Sequence, residues 1–387
     1  MIAILFTLFM SKINNFIPVC SPLLSGNELK YITDAVSTGW ISSSGSYLQK
    51  FENSFSDYCG VKYGVGVCNG TVALHLALKA LGIGKDDEVI IPNFTMIASA
   101  FAVCYTGAKP VFIDADKDTW NIDITKTEEK ITSKTKAIMP VHIFGNMCNM
   151  DAIKNISKKN NLFIIEDAAE AHGAEYKNKK SGSFSDIAAF SFYANKNLTT
   201  GEGGMLVTDN EVLYDQAKYY KNLCFPLDGP RNYLHEDIGF NYRMSNLHAA
   251  IGLAQVEKAD YYRDLRIKNN KLYKKYLSDC EGIQFQIDEP NSINCSWMNA
   301  ILVQAEKYGK LRDALINFLK ENNIDTRLVF NGMNKQNSLK KYGCDCSGNY
   351  PVTDWLSKNA FYLPSGSGLS ESDISRICEL IIRFKKI

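Results

Sequence analysis

The stretch "YGVGVCNGTVALHLALKAL", residues 63 to 81, decides the architecture. Its first six residues read as a short strand with β-branched positions. From Thr71 the period changes: Ala73, Leu74, Ala77, Leu78 and Leu81 fall on one side, and Val72, Leu76 and Lys79 on the other. That pattern predicts a helix whose apolar face packs on a sheet. Outward from it, "DEVIIP" (87–92) is a strand stopped by Pro92 and "MIASAFAVCYTG" (96–107) a helix stopped by Gly107. "KPVFID" (109–114), "KAIMPVHIFG" (136–145), "LFIIED" (162–167), "DIAAFSF" (186–192) and "GGMLVTD" (203–209) continue the strand series, with short helices between several of them. Strands without clean alternation are buried on both faces, which is the signature of a mostly parallel α/β sheet.

After Tyr242 the character changes. "SNLHAAIGLAQVEKADYYRDLRIKNNKLYKKYLSD" (245–279) has no proline and no strand signal, and is expected as one long helical stretch leading to a second domain. That domain is predicted as a small α+β unit: a strand at "MNAILVQ" (298–304), a helix at "KLRDALINFLKENN" (310–323), and a last helix at "ESDISRICELIIRF" (371–384) with Ser370 as N-cap. The expected division is an extension over 1–16 outside the core, a large α/β domain over 17–260 and the small domain over 261–387.

With 387 residues, 45% of them hydrophobic, the chain suffices for two domains with a substantial core. The formal net charge of +1 carries no footprint for nucleic acid or an anionic membrane, which points to small polar partners. Eleven cysteines with no CxxC pair and no zinc spacing exclude a sequence-legible metal site, and read as reduced thiols of a cytoplasm-like compartment. The apolar "MIAILFTLFM" (1–10) is too short to span a bilayer, lacks a basic flank and is followed by no small-residue cleavage site. Synthesis starting at Met10 and a short interfacial anchor are the two readings of that run.

Three features carry chemistry. Asp167 ends the buried strand "LFIIED", where ligands collect in open α/β sheets, although the same aspartate is also a helix cap in waiting. Gly70 and Thr71 open the helix after the first strand, so their backbone N–H groups face outward as at a phosphate site or an ordinary turn. Lys196 in "SFYANKNLTTGEGG" (191–204) sits between an apolar run and a glycine turn that has neither the phosphate-loop nor the dinucleotide spacing. An amine, an anion site and a strand-end carboxylate together match the needs of pyridoxal phosphate. A solvated loop lysine is the plain alternative for Lys196 taken alone.

"EDAAEAHGA" (166–174), "GSFSDIAAFSFYANKNLTTGEGGMLVT" (182–208) and "GFNYRMSNLHAAIGLAQ" (239–255) resemble the successive motifs of the DegT/DnrJ/EryC1/StrS family, the nucleotide-sugar aminotransferases of aspartate-aminotransferase (type I) fold. The resemblance runs from about Ile17 to the C-terminus. "STGWISSSGSYLQKFE" (37–52) and "NAFYLPSGSGL" (359–369) make the chain similar to its members that aminate C4 of 4-keto-6-deoxyhexoses, of perosamine or viosamine type. It implies pyridoxal phosphate as cofactor, L-glutamate as amino donor, a nucleotide 4-keto-6-deoxysugar as acceptor and a homodimer with shared sites. It further implies Lys196 as the Schiff-base lysine, Asp167 as partner of the pyridinium nitrogen, and Glu170 beside the ring and its phenolic oxygen. Phosphate contacts are implied for Gly70, Thr71 and Ser191, and for Asn241 reaching across from a neighbouring subunit. His142 matches a histidine near the cofactor, with a packed core histidine as the other reading. Arg327 matches an arginine that meets substrate anions, with a surface arginine as the other.

Two departures stand out. In "PNFTMIASA" (92–100) the usual ring-stacking aromatic is replaced by Met96, so the stacking group is Met96 or nearby Phe94. In "TRLVFNGMNKQN" (326–337) Asn334 stands near a position where relatives carry histidine, in a loop that shapes the sugar site. The nucleotide, GDP, UDP or dTDP, stays open. Of the rival activities, the sugar 3-dehydratases of this family carry histidine in place of Lys196, and Lys196, Asp167, Ser191 and Asn241 present together argue against a regulator that holds the cofactor without turnover.

Overall fold

The computed structural model of the protein describes residues 16–229 and 233–387; the apolar run at 1–10 lies outside the described residues. In chain order the strands among these residues are β1 (Tyr63–Val67), β2 (Glu88–Pro92), β3 (Lys109–Ile113), β4 (Thr135–Ile138), β5 (Phe163–Asp167), β6 (Glu175–Tyr176) and β7 (Lys179–Lys180). They continue with β8 (Ile187–Ser191), β9 (Gly204–Thr208), β10 (Ile283–Phe285), β11 (Ser292–Ile293), β12 (Asn299–Val303), β13 (Arg327–Leu328) and β14 (Ala360–Leu363).

The seven-stranded sheet has the order β1-β9-β8-β5-β4-β2-β3. Only β9 runs against the rest, pairing antiparallel with both β1 and β8. Successive residues of β8 alternate between two cores: Ala188 and Phe190 pack with Phe51, Phe55 and Leu253, while Ile187 and Ala189 pack with Leu74, Leu78 and Val103. Helices Ser46–Cys59 and Asn246–Val256 cover the first face, and helices Gly70–Ala80 and Ile97–Tyr105 the second. Because the strands point one way, the carboxyl ends of β1, β2, β4, β5 and β8 meet along one edge, and the candidate site is built there.

The second sheet, β10-β12-β14-β13, is antiparallel throughout. Its core gathers Tyr273, Leu315, Leu319, Ile374, Ile377 and Ile381 from helices Ala259–Tyr276, Arg312–Glu321 and Glu371–Lys386. Ser370 closes the last helix with a full capping box, its hydroxyl taking the Asp373 N–H and the Asp373 carboxylate taking the Ser370 N–H. Ile17 belongs to this second core, exchanging backbone bonds with Asn323 and Asp325 at 2.9 Å each. From there the chain straps across: Val19 O accepts from Ser365 N (2.7 Å), and Leu23 O from Gln255 Nε2 (3.1 Å). A further apolar cluster, with Phe94 and Phe144 from the large sheet's loops and Trp297 and Leu356 from the other side, joins the two.

The helical stretch expected over 245–279 is two helices, Asn246–Val256 and Ala259–Tyr276. The break at Glu257 and Lys258 has a polar cause. Glu257 accepts from Asn27 Nδ2 (2.7 Å) and Tyr31 OH (2.6 Å), and the Lys258 ammonium donates to Ser25 O (2.5 Å). Lys258 leaves helical geometry (φ −123°, ψ 21°) to make that contact, something no periodicity announces. Among the described residues no helix is long and apolar enough to cross a membrane.

Candidate active site

Beyond the end of β8 the chain turns tightly, the Lys196 N–H donating to Tyr193 O at 2.9 Å. This turn points the lysine side chain inward: it is nearly buried, with its Nζ 3.6 Å from the centre of the Trp297 ring and 4.0 Å from Glu170 Oε1. Burial disfavours the ammonium and moves the Lys196 pKa below that of an ordinary lysine, against the pull of Glu170 and Asp167. An amine so placed is closer to the neutral, nucleophilic form than a surface lysine.

Asp167 closes β5 and is 4% exposed. Its Oδ2 accepts from Ser99 Oγ at 2.7 Å, and the Ala169 N–H donates to Oδ1 at 3.3 Å. Burial nevertheless lifts its pKa, so its charge is under-compensated and suits a cationic partner. The N–H of Phe144 donates to Glu170 Oε2 at 2.8 Å. Burial pushes Glu170 up to about 7, opposed by the charge of Lys196. Glu170 and Lys196 thus face each other as a buried acid and base with opposed shifts.

The anion side of the cluster is the start of helix Gly70–Ala80. Asn69 caps it by accepting from Val72 N at 3.0 Å, and the N–H groups of Gly70 and Thr71 have no acceptor among the described residues. A Cβ on Gly70 would lie 2.6 Å from Ser191 Cβ and 3.2 Å from its Oγ, so glycine is what lets the helix start against the end of β8. Ser191 lies in the gap between Gly70 and the Lys196 turn.

The other predicted residues fall in varied places. His142 is fully buried; its Nδ1 accepts from Cys148 N (3.1 Å), which leaves Nε2–H to donate to Glu166 Oε2 (2.9 Å). Both ring nitrogens are thereby taken, as the packed-histidine reading requires. Met96 is half exposed at the start of helix Ile97–Tyr105, whereas Phe94 is fully buried against Phe144 and Phe330. Of the two stacking candidates only Met96 has a free face. Arg327 is exposed on β13 and pairs with Asp325. Asn334 is buried, tied to Asn93 by Asn93 Nδ2 to its Oδ1 (3.1 Å) and by its N–H to Asn93 Oδ1 (3.0 Å). Asn241 is exposed and bridges to Asn222; its neighbour Tyr242 takes the Cys68 N–H, which puts this segment beside the end of β1 in its own chain.

Sequence reading did not single out Ser99, Trp297 or His172. Trp297 offered a faint signal, as one of four tryptophans in the chain, just before a predicted strand. Ser99 offered none, and His172 was read only as part of a motif. His172 is 1% exposed, set among Phe55, Phe190 and Phe192, with no hydrogen-bond partner for either nitrogen and a pKa lowered by burial to about 3.

These residues fit pyridoxal phosphate: a helix start cleared by Gly70 for an anion, an under-compensated carboxylate, and a low-pKa amine within one cleft. Fold and site define a pyridoxal phosphate-dependent aminotransferase of the aspartate-aminotransferase type. The chain belongs to the DegT/DnrJ/EryC1/StrS aminotransferase family, whose sequence profile matches residues 22–382. It is 43% identical over 370 residues to a GDP-perosamine synthase of Escherichia coli O157:H7, covering 95% of this chain and 98% of that one. A second GDP-perosamine synthase, from Caulobacter vibrioides, is 41% identical, with 93% and 96% covered. Among solved structures, a putative sugar aminotransferase of Streptococcus pneumoniae in its PLP form superposes with a TM-score of 0.89 at 26% identity, over 96% of this chain and 99% of that one.

Proposed function

We propose that this enzyme moves the amino group of L-glutamate to the C4 ketone of a GDP-linked 4-keto-6-deoxyhexose, giving a 4-amino-4,6-dideoxy sugar nucleotide of perosamine type. The observation that carries the reading is the Lys196 amine, buried, shifted toward its neutral form, and grouped with Asp167, Glu170 and the open helix start. The names of the Escherichia coli and Caulobacter relatives support the choice of sugar and nucleotide.

In this proposal the N–H groups of Gly70 and Thr71, with the Ser191 hydroxyl, hold the phosphate of the cofactor at the positive end of their helix. Asp167 keeps a proton on the pyridine nitrogen, and in return gains the cation its buried charge lacks. Glu170 would serve the phenolic oxygen of the cofactor, and Met96 would cover its ring. When bound, pyridoxal phosphate stores the amino group between the two half-reactions and accepts the electron pair released at carbon. Lys196 Nζ would carry the α-proton of glutamate to the cofactor in the first half-reaction and a proton from the cofactor to C4 of the sugar in the second. Arg327 is positioned by the same reading to meet an anionic group of the donor or the sugar nucleotide, its guanidinium fork matching carboxylate or phosphate. The Asn93–Asn334 pair is assigned to the sugar side of the cleft, and His142 to fixing the strand ends through Glu166.

The active form is proposed as a homodimer in which Asn241 reaches the partner's phosphate site. Eleven free cysteines support a cytoplasmic location.

Incubation with L-glutamate and a panel of GDP-, UDP- and dTDP-linked 4-keto-6-deoxysugars, read by mass spectrometry, tests the substrate assignment. Conversion of the GDP-linked ketone to the amine, with much slower use of the other two, is the expected result. Preference for another nucleotide would overturn the GDP assignment, and failure on all three would overturn the reading.

A further inference from the structure

We propose that Arg266 is a positioning residue for the working amine: as a buried guanidinium it holds both the peptide that carries Lys196 and the indole that lies against its side chain. The inference rests on the assignment of Lys196 made above.

Arg266 stands in the helix Ala259–Tyr276 and is 1% exposed. Nη2 donates to Asn195 O and to Lys196 O, both at 3.3 Å, and approaches Cys20 Sγ at 3.5 Å. Nη1 donates to Trp297 O at 2.7 Å and Nε to Ser367 Oγ at 2.9 Å. One side chain thus binds four separate segments, all of which converge behind the lysine. Among the described residues Arg266 is the one donor to Lys196 O, which lies in a turn and has no ladder bond to fix it. Asn195 O is shared: it also takes the Trp297 indole N–H at 2.9 Å, so the ring facing Lys196 Nζ and the lysine's own backbone are held by one hub.

The acceptors of Arg266 are three backbone carbonyls, the Ser367 hydroxyl and the Cys20 sulfur, and no carboxylate of a described residue lies within ion-pair distance of it. Burying a cation without a carboxylate partner carries a desolvation cost that its hydrogen bonds must offset. Its retained charge acts on the lysine. The groups bearing on Lys196 are Glu170 and Asp167, which favour the ammonium, Cys20 in the same sense, and Arg266, which disfavours it together with burial. His172, close by, is held neutral. Arg266 is the cation that counters the two carboxylates.

The test uses Arg266→Met, of similar length and no charge, and Arg266→Lys, which keeps the charge but not the fork. On apoprotein, reductive methylation of Lys196 is followed by peptide mass spectrometry as a function of pH; on holoenzyme, kcat and KM are measured with the ketosugar. Arg266→Met should shift the Lys196 methylation midpoint to higher pH and lower kcat by roughly 10²-fold, as for an amine displaced by about 1 Å, with KM changed little. Arg266→Lys should return the midpoint toward that of the wild type while kcat stays low. A methylation profile that superposes on the wild type's in either folded variant, with kcat unchanged, overturns the proposal. Should Arg266→Met not fold, Arg266→Lys alone decides, since a normal kcat there refutes positioning by the fork. Loss of turnover in Lys196→Ala with normal Arg266 variants would overturn this inference alone, whereas turnover retained in Lys196→Ala would overturn the reading beneath it.

Discussion

Gly70→Ala is the sharpest single perturbation of the phosphate cradle. Elsewhere in a helix the change would stabilise by roughly 0.5–1 kcal/mol, through lower chain entropy. Here the new methyl would sit 2.6 Å from Ser191 Cβ and 3.1 Å from its Cα. Favourable carbon contacts lie near 3.5–4.0 Å, so either the helix start or the end of β8 must retreat by about 1 Å. Overpacking of that kind costs ~1–3 kcal/mol, which outweighs the entropy gain and makes the net effect a loss of stability. Binding suffers more. A charge-assisted bond from a backbone N–H is worth about 1.5–3 kcal/mol, and misaligning even one of the two at this helix start weakens the cofactor roughly 10- to 100-fold. Titrating apoprotein with pyridoxal phosphate, by absorbance and tryptophan quenching, measures it. Gly84→Ala is the control, because its Cβ would meet nothing closer than Thr106 O at 3.7 Å. If Gly70→Ala binds cofactor within threefold of wild type while the control is unchanged, the cradle is not where the phosphate sits.

Lys196→Ala should lower turnover by at least ~10²–10⁴-fold with the thermal melt nearly unchanged, and borohydride reduction of wild-type holoenzyme should label Lys196; a label on another lysine would refute its role. Glu170, raised from 4.5 to about 7, binds its proton more tightly folded than unfolded, so its stabilising effect is present at low pH and lost as pH rises through 7. The apoprotein should therefore lose about 2 kcal/mol between pH 5 and 8 from this group, and Glu170→Gln should remove that loss in urea titrations; parallel curves would count against it. His172 has the opposite sign: lowered from 6.5 to about 3, it favours the folded state at neutral pH and the contribution is lost as pH falls. Going from pH 7 to 5 should cost the wild type about 2 kcal/mol more than His172→Leu, and an equal cost would refute the neutral buried ring. Mixing Asn241→Ala with Lys196→Ala subunits should regenerate one active site per heterodimer if Asn241 serves the partner; no recovery after verified subunit exchange places it in its own site.

Local signals carried much of the architecture. The change of period at Thr71, the strand stops at Pro92 and Asp167, and the Ser370 cap are each written in a few adjacent residues, and short-range physics reads them directly. The helix break at Glu257 and Lys258 is different, because its causes are Asn27, Tyr31 and the Ser25 carbonyl, more than 220 residues earlier. The surroundings of Lys196 are of the same kind. Trp297 and Arg266 arrive from chain positions 101 and 70 residues away, and nothing local marks either as a neighbour of the amine. His142 shows the limit from the other side: the sequence put it in a strand over 136–145, whereas β4 ends at Ile138 and His142 lies in the loop beyond, where the N–H of Cys148 and the carboxylate of Glu166 consume its nitrogens.

The strap at residues 17–23 has a consequence for biosynthesis. Its first residue docks between Asn323 and Asp325, and its middle beside Ser365, whereas the seven-stranded sheet has its last strand by Thr208. At ribosomal rates of ~5–20 residues per second, the interval between residue 208 and residue 365 is roughly 8 to 30 seconds. Throughout that time the strands of the large sheet are complete while the strap, made before them, waits for partners made after them. Ile17 must stay out of premature pairings, including those with the edge of β1 or β3, until its partner leaves the tunnel. Holdase binding should accordingly be lower for the released full-length chain than for chains stalled before residue 365.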